Sequence, residues 1–283
     1  MALPEPLNVF PGDPVREVCP TKAITWNSSI DAPEIDADSC IGCGLCVARC
    51  PYGALSLTSE GIATIEIDDP DDLTVRHATV LHSTTHQKSI RTGHIGSMRS
   101  PALIQMPDSI ANLSHNDGNR YVRNLLLECG IKCRTRRTGD TNIRMDGVLA
   151  TTNGRTGVLE IELGYDVLET PRQLLDDIAV LSGRYGFKVE KIDAVSVITQ
   201  MPAVRSEYYQ VIEDIETVLN LRCRTVTVGA LLALLWQFVR ISGFVDDLFM
   251  VSSNNTNIVP NLEIHLPGSI SNPPYPGSFS PIR

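Results

Sequence analysis

Four cysteines within eleven residues, Cys40, Cys43, Cys46 and Cys50, with Pro51 directly behind them, constrain this 283-residue chain more than any other feature. Their C-x2-C-x2-C-x3-C-P spacing is that of a loop binding a [4Fe–4S] cube. Thiolates two residues apart can take successive corners of one cluster, and Gly42 and Gly44 let backbone amides approach its sulfides. A zinc loop more often divides its cysteines into two distant C-x2-C pairs. A fifth cysteine, Cys19, lies upstream. The remaining three, Cys129, Cys133 and Cys223, show no ligand spacing and read as core residues.

The N-terminus has no basic start and no apolar stretch, so the clustered cysteines read as metal ligands in a cytoplasmic protein rather than as disulfides. No apolar run reaches the ~18 residues of a spanning helix. Apolar residues make up 42% and charged residues 20%, enough to bury a sizeable core and exclude wholesale disorder. The net charge of −9 hides a division: residues 1–75 carry −10, residues 76–150 carry +6 with five of the six histidines, and residues 151–283 carry −5. The middle third can therefore offer a polyanion a basic face although the whole chain is acidic.

Residues 10–67, with CPTKAITW followed by IDADSCIGCGLCVARCPYGALSL, resemble a bacterial ferredoxin of the two-cluster type. In that family the cysteine before proline in one half ligates the cluster held by three closely spaced cysteines of the other. The resemblance implies Cys19, Cys40, Cys43 and Cys46 as the ligands of one [4Fe–4S] cluster. The three cysteines that should precede Cys19 are missing, which implies that the second cluster is lost and that Cys50 is a buried free thiol. An exchange of roles between Cys19 and Cys50 stays open. The cluster can carry electrons, sense redox state, or staple a segment too small to fold on its own core.

Residues 76–114 read as a polar, basic linker. His77, His82, His86 and His94 have no acidic or cysteine partner nearby and read as solvated, whereas Lys88, Arg91 and Arg99 suit phosphate contact. From Asp117 the pattern changes. Tyr121, Val122, Leu125 and Leu126 mark a helix that starts near residues 114–117 and stops at Gly130. Residues 131–137 form a basic strand with Lys132, Arg134, Arg136 and Arg137. A hairpin follows, its turn at residues 153–156, then a helix over 171–183 and a strand over 193–199. With the turn centred on Arg155, position 146 faces 164 and position 148 faces 162. Asp146, Glu160 and Glu162 then share one sheet face, while Leu159, Ile161 and Leu163 point into the core. Three adjacent carboxylates either bind a hard cation, Mg2+ or Mn2+, or form an ordinary solvated acidic face.

The order helix, strand, Asp-bearing strand, Glu-bearing strand, helix, strand over residues 115–200 resembles the core of the PD-(D/E)XK restriction-endonuclease-like family. That resemblance implies Asp146, Glu160 and the carbonyl of Ile161 as ligands of Mg2+ or Mn2+. It also implies Asp146, Glu160 and Glu162 as catalytic residues, with Lys132, Arg134, Arg136, Arg137 and Arg144 clamping duplex DNA. Two positions depart from the family: Glu162 stands where it usually has lysine, and Asn119 where the first helix often has an acid.

Further on, residues 206–220 read as an amphipathic helix, 222–228 as a strand, and 229–241 as an apolar helix buried in the core or in a homodimer interface. The tail from residue 260, with six prolines, reads as loosely ordered or laid over a neighbour. The expected fold is α/β (α+β overall). It comprises a ferredoxin-like domain over 1–75, a basic linker over 76–114, a mixed-sheet nuclease-like domain over 115–259 and a Pro-rich tail over 260–283. The leading function is an iron–sulfur, Mg2+-dependent DNA endonuclease of restriction or defence type. A decayed DNA-binding redox sensor and an electron-transfer ferredoxin fusion fit the same residues. Glu162 and Asn119 favour the former of these two, and the +6 segment argues against the latter.

Overall fold

A computed structural model describes residues 18–29, 32–49, 55–65, 101–136, 144–150, 154–241, 243–244, 247–270 and 277–281. Cys50, Arg137, and the linker residues His77, His82, His86, His94, Lys88, Arg91 and Arg99 lie outside the described residues.

The N-terminal part is two small antiparallel hairpins around a short helix. Strands β1 (Ile24–Asn27) and β2 (Ala32–Ile35) pair, helix α1 (Leu45–Arg49) follows, and β3 (Leu55–Leu57) pairs with β4 (Ala63–Ile65). Elements this short bury little by themselves. Leu45 and Val47 are instead fully covered as part of one hydrophobic core shared with the rest of the chain.

The larger part is built on a five-stranded sheet in the order β5-β6-β7-β8-β9. β5 (Lys132–Thr135), β6 (Gly147–Ala150) and β7 (Thr156–Glu162) form an antiparallel meander. β8 (Ile192–Ile198) and β9 (Cys223–Thr227) continue parallel to β7. Parallel pairing requires crossovers, and the helices that supply them cover the sheet. α2 (Pro101–Ala111) and α3 (His115–Glu128) precede it, α4 (Thr170–Tyr185) joins β7 to β8, and α5 (Glu207–Leu219) joins β8 to β9. α6 (Val228–Trp236) follows β9, and a short α7 (Val259–Glu263) comes last.

Glu160 and Ser196 are register partners, and the buried Tyr208 hydroxyl of α5 bonds Ser196 and Thr225, so α5 covers the face that carries Glu160. α3 lies on the opposite face: a Cβ at Gly118 would come within 2.9 Å of Leu163, and the Cys129 thiol following α3 meets the Leu231 carbonyl of α6. The result is three layers, helix, sheet and helix. Local chemistry matches the boundaries. Ser114 caps α3 by accepting from the Asp117 amide, Ser206 caps α5, and Gly186 ends α4 at φ +73°.

Four local expectations change. The hairpin pairs Gly147 with Leu159 and Ala150 with Thr156, so its centre lies near residue 153 rather than 155. The shift is an even number of residues, so Glu160 and Glu162 keep their common face, and Asp146, just before β6, comes beside Glu160 instead of residue 164. Residues 101–111, read as linker, form a helix that buries Leu103, Met106 and Ile110. The apolar helix ends at Trp236 and is buried along its whole length inside this chain. Finally, residues 277–281 of the tail are docked: Phe279 is fully buried, its carbonyl accepts from Ile258, and Thr227 donates to the Ser278 carbonyl. Prolines there limit hydrogen bonding but not burial. Among the described residues no helix is long and apolar enough to cross a membrane.

Candidate metal centres

Cys19 precedes β1, Cys40 follows the turn after β2, Cys43 sits in the glycine loop and Cys46 lies in α1. The four line one cavity with Val18, Ile24, Ile35, Ile41 and Ala63. Gly42 and Gly44 take φ values of +63° and +76°, which let the loop double back. The backbone is already turned toward sulfur: the Ala23 amide donates to Cys19 Sγ at 3.2 Å and the Ala63 amide to Cys40 Sγ at 3.4 Å. Burial pushes the Cys43 thiol up to about 12, and the neighbouring Cys19 and Cys40 add to it; Cys46 is raised by burial and then by Cys43, Cys19 and Cys40. Four thiolates in so apolar a cavity need positive charge among them, which iron supplies. The donor set fits a [4Fe–4S] cluster, and the four cysteines brought together are those the ferredoxin resemblance implied.

The cavity is also tied to the sheet domain. Trp236 of α6, almost fully buried, donates from Nε1 to the Cys43 carbonyl at 2.9 Å, and a Cβ at Gly44 would meet the same indole at 3.3 Å. Tyr121 of α3, fully buried, donates its hydroxyl to Met106 Sδ at 4.0 Å and lies near enough to Cys43 to act on its thiol. Arg49 and Glu128 approach to 3.8 Å across the same junction.

The second centre lies at the β6–β7 pair. Asp146 is buried; its Oδ2 accepts from the Ile161 amide at 3.1 Å, and its Oδ1 takes Asn119 Nδ2 at 3.2 Å and His115 Nε2 at 3.0 Å. Burial first, then the charges of Asp146, Asp177 and Glu162, push Glu160 up to about 8, with Arg136 opposing. Asp177 of α4 is pushed up to about 7 by burial and then by Asp146, with Arg144 opposing. Glu162 is engaged elsewhere, its Oε1 accepting from the Gly164 amide at 2.7 Å. Ile161 turns its side chain into the opposite face, where it is buried.

The basic residues sit beside these acids. Lys132 and Arg134 are register partners of Ala150 and Val148, which in turn pair with Thr156 and Val158, so they lie on the face that carries Glu160. The Arg136 amide donates to the Asp146 carbonyl, and Arg144 is exposed just before β6. Among the described residues, no three His, Cys, Asp or Glu side chains already stand close enough together to grip a single metal ion. The pair Asp146 and Glu160 would still suit Mg2+ or Mn2+, because Mg2+ keeps several of its waters and takes one or two carboxylates.

Two members of this centre escape the sequence reading. Asp177 follows Leu174 by three residues and precedes Leu181 by four, so it lies on the apolar stripe of α4; a carboxylate there was the available signal. His115 shares a face of α3 with Asn119, four residues on, but only the hairpin register shows that Asp146 lies opposite.

A family model described as a 4Fe-4S dicluster domain matches residues 16–54. Five cysteines fall in that range, too few for the eight thiolates that two clusters of this type require. A probable iron-sulfur subunit from the Frd operon of Proteus vulgaris is 43% identical over 49 residues, covering 17% of this chain and 30% of that protein. A probable ferredoxin of Methanosarcina thermophila is 48% identical over 33 residues, covering 12% of this chain and 57% of its own. An uncharacterized ferredoxin of Methanocaldococcus jannaschii is 43% identical over 42 residues, 15% of this chain and 26% of its own. The chain thus spans between about a quarter and just over half of these relatives. No solved structure matches the chain.

Proposed function

We propose that this iron–sulfur protein is a metal-dependent DNA endonuclease whose ferredoxin-type segment secures the catalytic domain. One observation carries the reading: the sheet register puts the basic edge-strand residues Lys132 and Arg134 on the face that carries Glu160, and Asp146, just before β6, lies close enough for its charge to act on Glu160. Acids that bind a cation and bases that bind phosphate are both required by phosphodiester hydrolysis. Asp146, Glu160 and the Ile161 carbonyl would hold Mg2+ or Mn2+, which supplies phosphoryl polarisation and a more acidic attacking water. Asn119 and the Ile161 amide fix the Asp146 carboxylate, so its orientation is set before any ligand arrives. Lys132, Arg134, Arg136 and Arg144 would position the backbone without reading its sequence.

The test uses anaerobically purified, cluster-loaded protein on a varied duplex library with Mg2+ or Mn2+. Cleavage is expected, and Asp146→Ala and Glu160→Ala should each abolish it while DNA affinity holds or rises. Affinity should fall steeply with salt. A library left uncut in both metals would remove the nuclease reading.

A second reading, electron transfer, has its own observation. Cys19 and Cys40 are only half-buried, so one side of the cluster cavity approaches the surface, and the relatives are named as ferredoxins or an iron-sulfur subunit. Reversible reduction of the cluster that is indifferent to Asp146→Ala, together with absent cleavage, would favour it.

A further inference from the structure

The acidic centre contains a group that neither the fold nor the expected ligand set uses. Asp177 lies halfway along α4, which packs against β7. It is 5% exposed, and its Oδ2 is sealed from solvent with no hydrogen-bond partner among the described residues. A buried carboxylate oxygen without a donor is costly, and it calls for an explanation such as a catalytic role, a water or an ion. The charges acting on it are those of Asp146 and its helix neighbour Asp176, with Arg144 opposing, while Asp177 in turn acts on Glu160. It therefore lies near enough to the sheet acids for their charges to act on one another.

We propose that Asp177 is the third carboxylate of this centre, its free Oδ2 accepting a hydrogen bond from a water on the divalent cation that Asp146 and Glu160 hold. The inference rests on the nuclease-site reading and deepens it. A water-mediated role suits the spacing, since the three acids do not already converge on one ion position, and Mg2+ sheds its waters reluctantly. It also explains why an acid occupies the apolar stripe of α4 between Leu174 and Leu181. Asp177 is thus a positioning residue: it orients a bound water, and through it the cation, without needing to touch substrate.

Mn2+ titration of the cluster-loaded protein, followed by electron paramagnetic resonance, separates the alternatives. Wild type should bind one Mn2+ at this centre, and Asp177→Asn should weaken it about 10–100-fold, the usual cost of losing an outer-shell partner. Asp176→Asn removes the same charge one residue away on the exposed side of α4; it should stay within about twofold of wild type, a small change expected of a screened surface charge. Thermal melting without Mn2+ checks that Asp177→Asn is folded, and it should melt at or above wild type at pH 8. Equal Mn2+ affinity in Asp177→Asn and wild type would overturn the proposal while leaving the Asp146–Glu160 site standing. Equal losses in both variants would reduce Asp177 to long-range charge and overturn it as well. If wild type binds no Mn2+, the proposal and the site fall together.

Discussion

The two centres of this molecule are assembled in opposite ways. Three of the four cysteines that line the N-terminal cavity come from one seven-residue stretch, and Cys19 is brought to them across a single hairpin. The acidic centre draws Asp146 from just before one strand, Glu160 from its neighbour, Asp177 from a crossover helix, and Asn119 and His115 from the helix before the sheet. A cluster loop can specify its ligands by spacing because iron imposes the geometry. A site built on a sheet exists only once register and helix packing are fixed. The first is therefore local and cofactor-dependent, the second global and fold-dependent.

The comparison breaks first at the junction between them. Helix α3 faces both ways, with Tyr121 toward Cys43 and Asn119 toward Asp146, and Trp236 anchors the Cys43 carbonyl. Losing the cluster should unseat the N-terminal segment and expose this packed surface, so the effect should reach the whole chain. Cys19→Ala, Cys40→Ala, Cys43→Ala and Cys46→Ala should each abolish visible absorption and iron content and lower the melting temperature sharply. Cys50→Ala should keep most of both. Retention of the cluster in Cys19→Ala with its loss in Cys50→Ala would exchange the two cysteines in the ligand set. Trp236→Ala should keep the iron but lose about 3–5 kcal/mol, typical of a buried aromatic; an unchanged melt would mean that the two parts are stable independently.

What was legible in the sequence follows the same division. Cys19, Cys40, Cys43 and Cys46 could be named from spacing and resemblance, because their separation along the chain is the information. The sheet elements were also readable, since β7 and β8 carry their own apolar pattern and α3 its own serine cap. The register was not. A turn centre at residue 155 or 153 is equally compatible with alternation, and only packing against α4 and β8 selects one. Asp177 stayed hidden because a lone acid on an apolar stripe gives no clue to what it faces. The docked tail stayed hidden because Pro-rich composition says nothing of Phe279 finding a pocket.

A middle-sized effect comes from the acidic face itself, and its sign is fixed by the direction of the shifts. Glu160 rises from an ordinary 4.5 to about 8 on folding, and Asp177 from 3.8 to about 7. Raised carboxylates favour the folded state while protonated, so their contribution is full below about pH 4 and is lost as pH climbs through 7 and 8. Without divalent cation, wild type should melt progressively below Glu160→Gln between pH 5.5 and 8.5. The gap should reach roughly 5 °C, at about 2–4 °C per kcal/mol for a chain of this size. Mn2+ added at pH 8 should close it. A pH-independent gap would mean that this face is open to water, and that the two centres differ less in burial than their surroundings indicate.

The smallest expected effect is at Glu162, and it asks whether a sheet-built site tolerates a change that a cluster loop would not. Glu162 does two things: it accepts from the Gly164 amide, and its charge raises Glu160. Glu162→Lys ends both. Losing the acceptor costs about 1 kcal/mol, the net worth of an ordinary hydrogen bond, and the half-buried Gly164 amide can recover part of it from water. Replacing a like charge by an opposite one beside Glu160 works the other way, drawing that carboxyl back toward its ordinary range and easing the folded state above pH 7. The two terms oppose, so the melting temperature at pH 8 should move by no more than about 2–3 °C, whereas at pH 5.5, with Glu160 protonated, only the loss remains and the variant should melt lower. Glu162→Gln keeps an acceptor oxygen and should sit between wild type and Glu162→Lys at pH 5.5. Should Glu162→Lys melt equally far below wild type at both pH values, its charge would not be coupled to Glu160, and the acidic face would be a row of independent side chains rather than one centre.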